Sequence, residues 1–193
     1  MRTFVVTPPA PVVTWEEAAQ HLRLEADDEE QKPLVEAIIA AASAHIDGPA
    51  GWLGSSIGVQ TLETYYPAFG TCGFIALPHP PLISIVEVEY IDGVGATIIL
   101  PDTDYTLRGA LLRPAFGAKW PLASWEGPHG ETVRIRYTAG YETLPAPIRA
   151  AILLMVGDLF ENRSSTASFS GAGAAVQMST TVEALLAPFR RFY

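Results

Sequence analysis

The chain has 193 residues, 49% hydrophobic and 17% charged, which suffices for one sizeable core and excludes bulk disorder. Twelve basic against 21 acidic side chains leave a formal charge of −9. That balance disfavours a general nucleic-acid binder or a binder of anionic membranes, both of which need a basic excess. Cys72 is alone, so neither an internal disulfide nor a cysteine zinc site is open to the chain. The start, MRTFVVTPPAPVV, lacks the apolar core and cleavage site of a signal peptide. The longest apolar candidate for a membrane span, Ile148 to Phe160, falls short of the roughly 20 residues required and contains Asp158. The chain therefore reads as soluble and intracellular in origin.

Residues 1–13 are proline-rich and read as extended. Thr14-Trp15-Glu16-Glu17 has the form of a capping box, with Thr14 as N-cap and Glu17 three positions on, opening a helix of about two turns. The acidic run Asp27 to Glu30 precedes a second helix, where negative charge favours the N-terminal dipole. Pro33 fits the first turn of that helix, since its missing N–H is not needed there. Leu34, Val35, Ile38, Ile39, Ala42 and Ile46 recur at helical spacing, and Gly48-Pro49 ends the run.

From Ile57 to Tyr141 the pattern turns to strands. Candidates are Val59 to Tyr66, Phe74 to Leu77, Ile83 to Ile91, Ala96 to Leu100, Tyr105 to Arg108, Leu111 to Arg113, and a last strand around Val133, Ile135 and Tyr137. In Ile83 to Ile91, Val86, Val88 and Tyr90 alternate with Glu87 and Glu89, so the two glutamates are read as a solvated face. The expected arrangement is a meander of six or seven short strands. Helix returns after Pro145-Ala146-Pro147 with Ile148, Ile152, Met155, Val156, Leu159 and Phe160 on one broad face. Residues 164–181 are rich in Ser, Thr, Ala and Gly and read as a flexible segment, followed by a short helix from Val182 to Leu186. The fold class is α+β: helices of 14–47 and 145–163 form an α core, residues 57–141 form an inserted antiparallel β region, and 182–193 form an extended C-terminal tail. All of it is one domain, 1–193.

Catalytic and metal signals are weak. His21, His45, His79 and His129 show no metal-ligand spacing, and turn chemistry accounts for His79 and His129. Ser84, Ser124 and the Ser164–Ser170 cluster have no GxSxG context. Ser170-Gly171-Ala172-Gly173 lacks the lysine of a phosphate loop. Asp102-Thr103-Asp104 lacks the rest of a calcium loop and reads as a hairpin turn. A helix-turn-helix over 14–47 is disfavoured because residues 16–36 carry eight acidic side chains against Arg23 and Lys32. No catalytic residue, metal site or cofactor is assigned. The tail stands out instead. Phe189, Phe192 and Tyr193 interleaved with Arg190 and Arg191 have the composition of an interface anchor. Packing of the tail back on its own domain is the competing reading.

The runs PVVTWEEAAQHLRL and LVEAIIAAASAHID, separated by the acidic break, resemble the start of phage head-to-tail connector proteins. The stretches ALPHPPLISIVEVEYIDGVGATIILPDTDYTLRGALLRP and VRIRYTAGYETLPAPIRAAILLMVGDLFENR, and the ending LLAPFRRFY, extend that resemblance over nearly the whole chain. The chain is thus similar to the adaptor (head completion) proteins of long-tailed phages and phage-derived gene transfer agents. The resemblance implies a structural virion protein in the particle neck, assembled in the bacterial cytoplasm. Such adaptors form a homo-oligomeric ring, usually of twelve copies, beneath the capsid portal protein. They meet a stopper or tail-completion protein on the other side, and DNA passes through the channel without sequence-specific binding. It further implies that Pro188, Phe189, Arg190, Arg191, Phe192 and Tyr193 anchor the ring in the portal. Two other readings stay open. One is a carbohydrate- or protein-binding β module using Trp120 and Trp125. The other is a hydrolase, which would need a pocket joining His129, Asp102 and a serine.

Overall fold

The computed structural model describes residues 1–25, 27–70, 73–124, 130–162 and 178–192. Cys72, Trp125, His129, Tyr193 and the stretch 163–177, which holds the Ser164–Ser170 cluster and most of the segment expected to be flexible, lie outside the described residues. The elements run β1 (Arg2–Thr7), α1 (Trp15–Leu22), α2 (Lys32–Ile46), β2 (Gln60–Tyr66), β3 (Ile75–Ala76), β4 (Leu82–Ile91), β5 (Thr97–Ile99), β6 (Tyr105–Arg108), β7 (Leu111–Pro114), β8 (Val133–Ala139), α3 (Ala146–Glu161) and α4 (Thr180–Leu186). Helices from both ends of the chain thus flank an antiparallel β region, as the residue patterns require.

The capping box forms. Glu17 donates its backbone N–H to the Thr14 hydroxyl at 3.3 Å, and Thr14 donates its own to the Glu17 carboxylate at 3.0 Å. The same carboxylate reaches across to Arg149 on α3, so one glutamate both starts α1 and ties it to the other end of the chain. Pro33 sits in the first turn of α2, and the Asp28 side chain accepts the Gln31 N–H at 3.0 Å just ahead of it. Val35, Ile39 and Ile46 on α2 meet Ile148, Ile152 and Val156 on α3, and Val182 and Leu186 on α4 close the cluster. These side chains are fully buried or nearly so, and each contributes about 1.5–3 kcal/mol by leaving water.

The strands do not form a meander. Among the described residues, one sheet has the order β1-β2-β8-β4-β5 and a smaller one the order β3-β7-β6. The last strand in sequence is the centre of the large sheet, paired antiparallel to β2 on one side and β4 on the other. Its inward residues Val133, Ile135, Tyr137 and Ala139 are all buried, so it gains most from two neighbours. The opening residues, expected only to be extended, supply an edge strand, with Thr3 opposite Thr64 and Phe4 opposite Glu63.

Strand β4 also departs from the simple alternation. Register shifts between Leu82 and Ser84 and between Ile85 and Glu87 insert extra residues, and Val86 is turned outward, 54% exposed. A bulge adds one residue without a partner and so reverses the facing of what precedes it. Val88 keeps its place in the core. Tyr137, wholly buried, places its hydroxyl 3.1 Å from the Thr64 hydroxyl and donates to the Pro78 carbonyl at 3.0 Å.

The helical core and the sheet meet through a polar hinge. Asp47, just past α2, accepts the Ile57 N–H at 2.7 Å and the Gln60 side-chain amide at 2.9 and 3.0 Å. Burial pushes its carboxyl above the usual range, against hydrogen bonds from Ile57 and Gln60 that favour the ionised form. Gly140, at φ 125°, lies so close to Gly58 that a Cβ there would stand 2.1 Å from the Gly58 carbonyl oxygen. Only glycine allows that approach.

Candidate functional site

The C-terminal segment is the first candidate. Ser179 caps α4 by accepting the Val182 N–H at 3.3 Å, so helix begins at Thr180, inside the stretch expected to be flexible. A 3₁₀ turn over Ala187–Phe189 follows. Phe189 packs against the helical core, and its carbonyl accepts the Ser55 hydroxyl at 3.2 Å. The Arg191 N–H donates to the Leu53 carbonyl at 2.7 Å. Arg190 places its guanidinium 4.0 Å from the centre of the Trp52 ring and 4.8 Å from that of Phe192. The segment therefore lies back on its own domain as far as Arg191. It presents Pro188, Arg190, Arg191 and Phe192 to solvent, with Phe192 78% exposed. Backbone hydrogen bonds and a Trp–Arg–Phe stack thus hold the tail in place on its own domain.

A groove of about 810 Å³ is the second candidate. Its wall is the Pro8–Val13 strap, and its floor is the flank of α2 at Ile39, Ala40 and Ser43, at the edge of the helical core. The strap is fixed by Gly58: a Cβ there would sit 2.5 Å from Pro9 Cβ. Glu16 and Glu36 are exposed at the rim together with Lys32, which lies 3.9 Å from Glu29. The Ser43 hydroxyl is shielded from water and has no hydrogen-bond partner among the described residues.

The outer face of the large sheet carries a charge lattice where a solvated face was expected. Glu63 accepts from Arg134 at 3.1 Å and from Arg136 at 2.7 Å, and Arg134 also reaches Glu87, at 2.7 Å, and Glu89. Burial works against the Glu63 carboxylate, but hydrogen bonds from Tyr65 and Arg136 and the charges of both arginines outweigh it and hold its carboxyl below the usual range.

The remaining sequence candidates are accounted for locally. His79 is buried with Nδ1 3.1 Å from the Gly54 carbonyl, and burial lowers its pKa. Asp102 and Asp104 lie in a 3₁₀ turn. Trp120 stacks on Phe69, ring centres 4.9 Å apart, and belongs to the sheet core rather than to an open ligand site. Among the described residues, no group of three or more His, Cys, Asp or Glu is placed to hold a metal ion. No described helix is long and apolar enough to cross a membrane. Sequence reasoning missed Trp52 as the seat of Arg190, because more than a hundred residues separate them. It also missed the groove, whose signal was the proline spacing of Pro8, Pro9 and Pro11 ahead of a capped helix.

No protein-family model matches the chain, and no curated protein matches it. Solved structures do. A chain from the neck of an empty GTA particle computed with C6 symmetry superposes with a TM-score of 0.74 at 22% identity, covering 100% of this chain and 97% of that one. A chain from the virion of a native gene transfer agent particle gives 0.67 at 22% identity, with the same coverage. A chain from the neck of a native GTA particle computed with C12 symmetry gives 0.64 at 19%, again over 100% and 97%. The likeness establishes a shared fold over the full length.

Proposed function

We propose that the chain is a head-to-tail adaptor: a structural subunit of a ring beneath the portal in the neck of a phage or gene-transfer particle. One observation carries the reading. The fold matches neck-particle chains from end to end, with no part of either left over beyond a few residues. The C6 and C12 symmetries of those necks support a ring of twelve copies. A subunit charge of −9 suits a DNA channel, because like charge keeps passing DNA from adhering to the wall. In this reading Pro188, Phe189, Arg190, Arg191, Phe192 and Tyr193 anchor the ring in the portal, and the opposite side meets a stopper or tail-completion protein. The chain carries out no reaction and needs no cofactor.

The test is binding to the cognate portal, read by sedimentation and electron microscopy. Three forms are compared: the full chain, a chain ending at Ala187, and Phe192→Ala. The point variant is needed because truncation also removes the Arg191 hydrogen bond to Leu53. A ring on the full chain that is weakened at least tenfold by Phe192→Ala supports both role and anchor. Equal binding by all three moves the anchor elsewhere. Absence of binding by the full chain overturns the adaptor reading.

A further inference from the structure

The small sheet ends in an apolar knob. Ala115 to Ala118 form a β-turn closed by the Ala118 N–H on the Ala115 carbonyl at 2.9 Å, with Gly117 at φ 81°. A positive φ at the third residue is what a type II turn demands, and it leaves the second residue at the apex. That residue is Phe116, fully exposed. Leu122 nearby in sequence is 91% exposed. The turn is also tied down at its base by the Ala115 N–H to the Asp104 carbonyl, at 2.8 Å. A phenylalanine exposed on a rigid turn gains free energy when a partner covers it, at little further cost in ordering.

Charge narrows the choice of partner. Residues 105–124 contain Arg108, Arg113 and Lys119 and no acidic residue, with Asp102 and Asp104 at the base of the turn, in a chain with 21 acids against 12 bases. These three make no ion pair with any described residue. Arg113 instead lies over the Phe74 ring at 5.6 Å, which extends the basic and aromatic character of the patch. The groove beside α2 has the opposite character. It is walled by prolines and floored by Ile39 and Ala40, with Glu16 and Glu36 at its rim beside Lys32, whose charge is met by Glu29 of the acidic run ahead of α2. Its volume of about 810 Å³ lies in the range of binding sites that enclose a ligand and leaves room for an aromatic side chain with its flanking backbone.

Knob and groove belong to different parts of the fold, one to the three-stranded sheet and one to the helical core. A closed ring of identical subunits needs two different, mutually complementary surfaces on every copy. We infer that the Phe116 turn of one subunit seats in the Pro8–Val13/α2 groove of its neighbour, with Lys119 facing Glu36. This inference rests on the ring reading above and specifies its subunit contact.

The test uses the full chain assembled on its portal. In a Cys72→Ser background, Phe116→Cys combined with Ala40→Cys is treated with a short bismaleimide. A ladder of adaptor multimers on a denaturing gel is expected, with each single-cysteine form staying monomeric. Phe116→Asp, at a wholly exposed position, is expected to lower the yield of complete rings at least tenfold while binding of single subunits to the portal is unchanged. Lys119→Glu is expected to weaken assembly, and Glu36→Lys to restore it in the double variant. Wild-type rings without a ladder, together with normal rings from Phe116→Asp, overturn the contact and leave the adaptor role standing. Failure of the wild type to form rings overturns both.

Discussion

The two halves of the molecule are held in different ways. The helical half is a dry cluster assembled from segments at opposite ends of the chain, with Ile39 and Ile46 from α2 packed on Ile148, Ile152 and Leu186. The β half has its own apolar core on one face of the sheet and, on the other, the lattice of Glu63, Arg134, Arg136, Glu87 and Glu89. Apolar burial does not depend on pH, whereas a charge lattice does. The helical half is therefore sensitive to loss of volume or of a chain end, and the sheet to loss of charge. The junction at Asp47, Gly58 and Gly140 decides whether the two respond together.

Gly140→Ala attacks the junction and is expected to cost the most, above about 3 kcal/mol, since the new methyl meets the Gly58 carbonyl in a backbone conformation that disfavours side chains. Denaturant unfolding followed by two probes would show it. Tryptophan fluorescence, with Trp15 and Trp52 in the helical half and Trp120 in the sheet, is set against far-ultraviolet dichroism. Loss of coincidence between the two would mean that the halves unfold separately once the junction is broken. Ile152→Ala in the helical half comes next, at about 3–4 kcal/mol from transfer and cavity terms. Its effect is expected to be the same at pH 5 and pH 7.

Tyr137→Phe strips the hydroxyl shared by Thr64 and the Pro78 carbonyl inside the sheet, and about 1–2 kcal/mol is expected from unfolding midpoints. Glu63→Gln is expected to cost about 1 kcal/mol at pH 7, reduced by solvent screening. The folded pKa of Glu63 lies below its unfolded value, so its contribution is present above the ordinary glutamate pKa and is lost as pH falls through the folded one. The variant should accordingly flatten the acid limb of the stability curve.

Asp47→Asn has the smallest expected effect and the opposite sign. The folded pKa of Asp47 is raised, so its contribution is full below the unfolded carboxyl pKa and is lost as pH rises through the folded value. At pH 7 an asparagine keeps an acceptor for the Ile57 N–H without a buried charge, and with the Gln60 amide turned to accept from its NH2 a gain of under about 1 kcal/mol is expected. Destabilisation at pH 7 would show that the ionised carboxylate is worth more than its burial costs.

The sequence by itself determined the helices, the starts of α1 to α3 and the fold class. Thr14 and Glu17 specify a capping box within four residues, Pro33 marks a first turn, and the 3.6-residue recurrence on α2 and α3 names the buried face. Those signals are local, carried by neighbours in the chain. The strands from β2 to β8 were legible one by one for the same reason, whereas β1 read only as extended chain. Their order was not, because the place of Val133–Ala139 between β2 and β4 depends on which faces can be buried together across seventy residues of chain. The bulge that exposes Val86, the lattice that pairs Glu63 with Arg134 and Arg136, and the stacking of Arg190 on Trp52 depend on distant partners in the same way. The Phe116 turn and the groove beside α2 were not read from the sequence. Only the folded chain decided that one stands wholly in water and that the other is open, because exposure is set by what the rest of the molecule leaves uncovered.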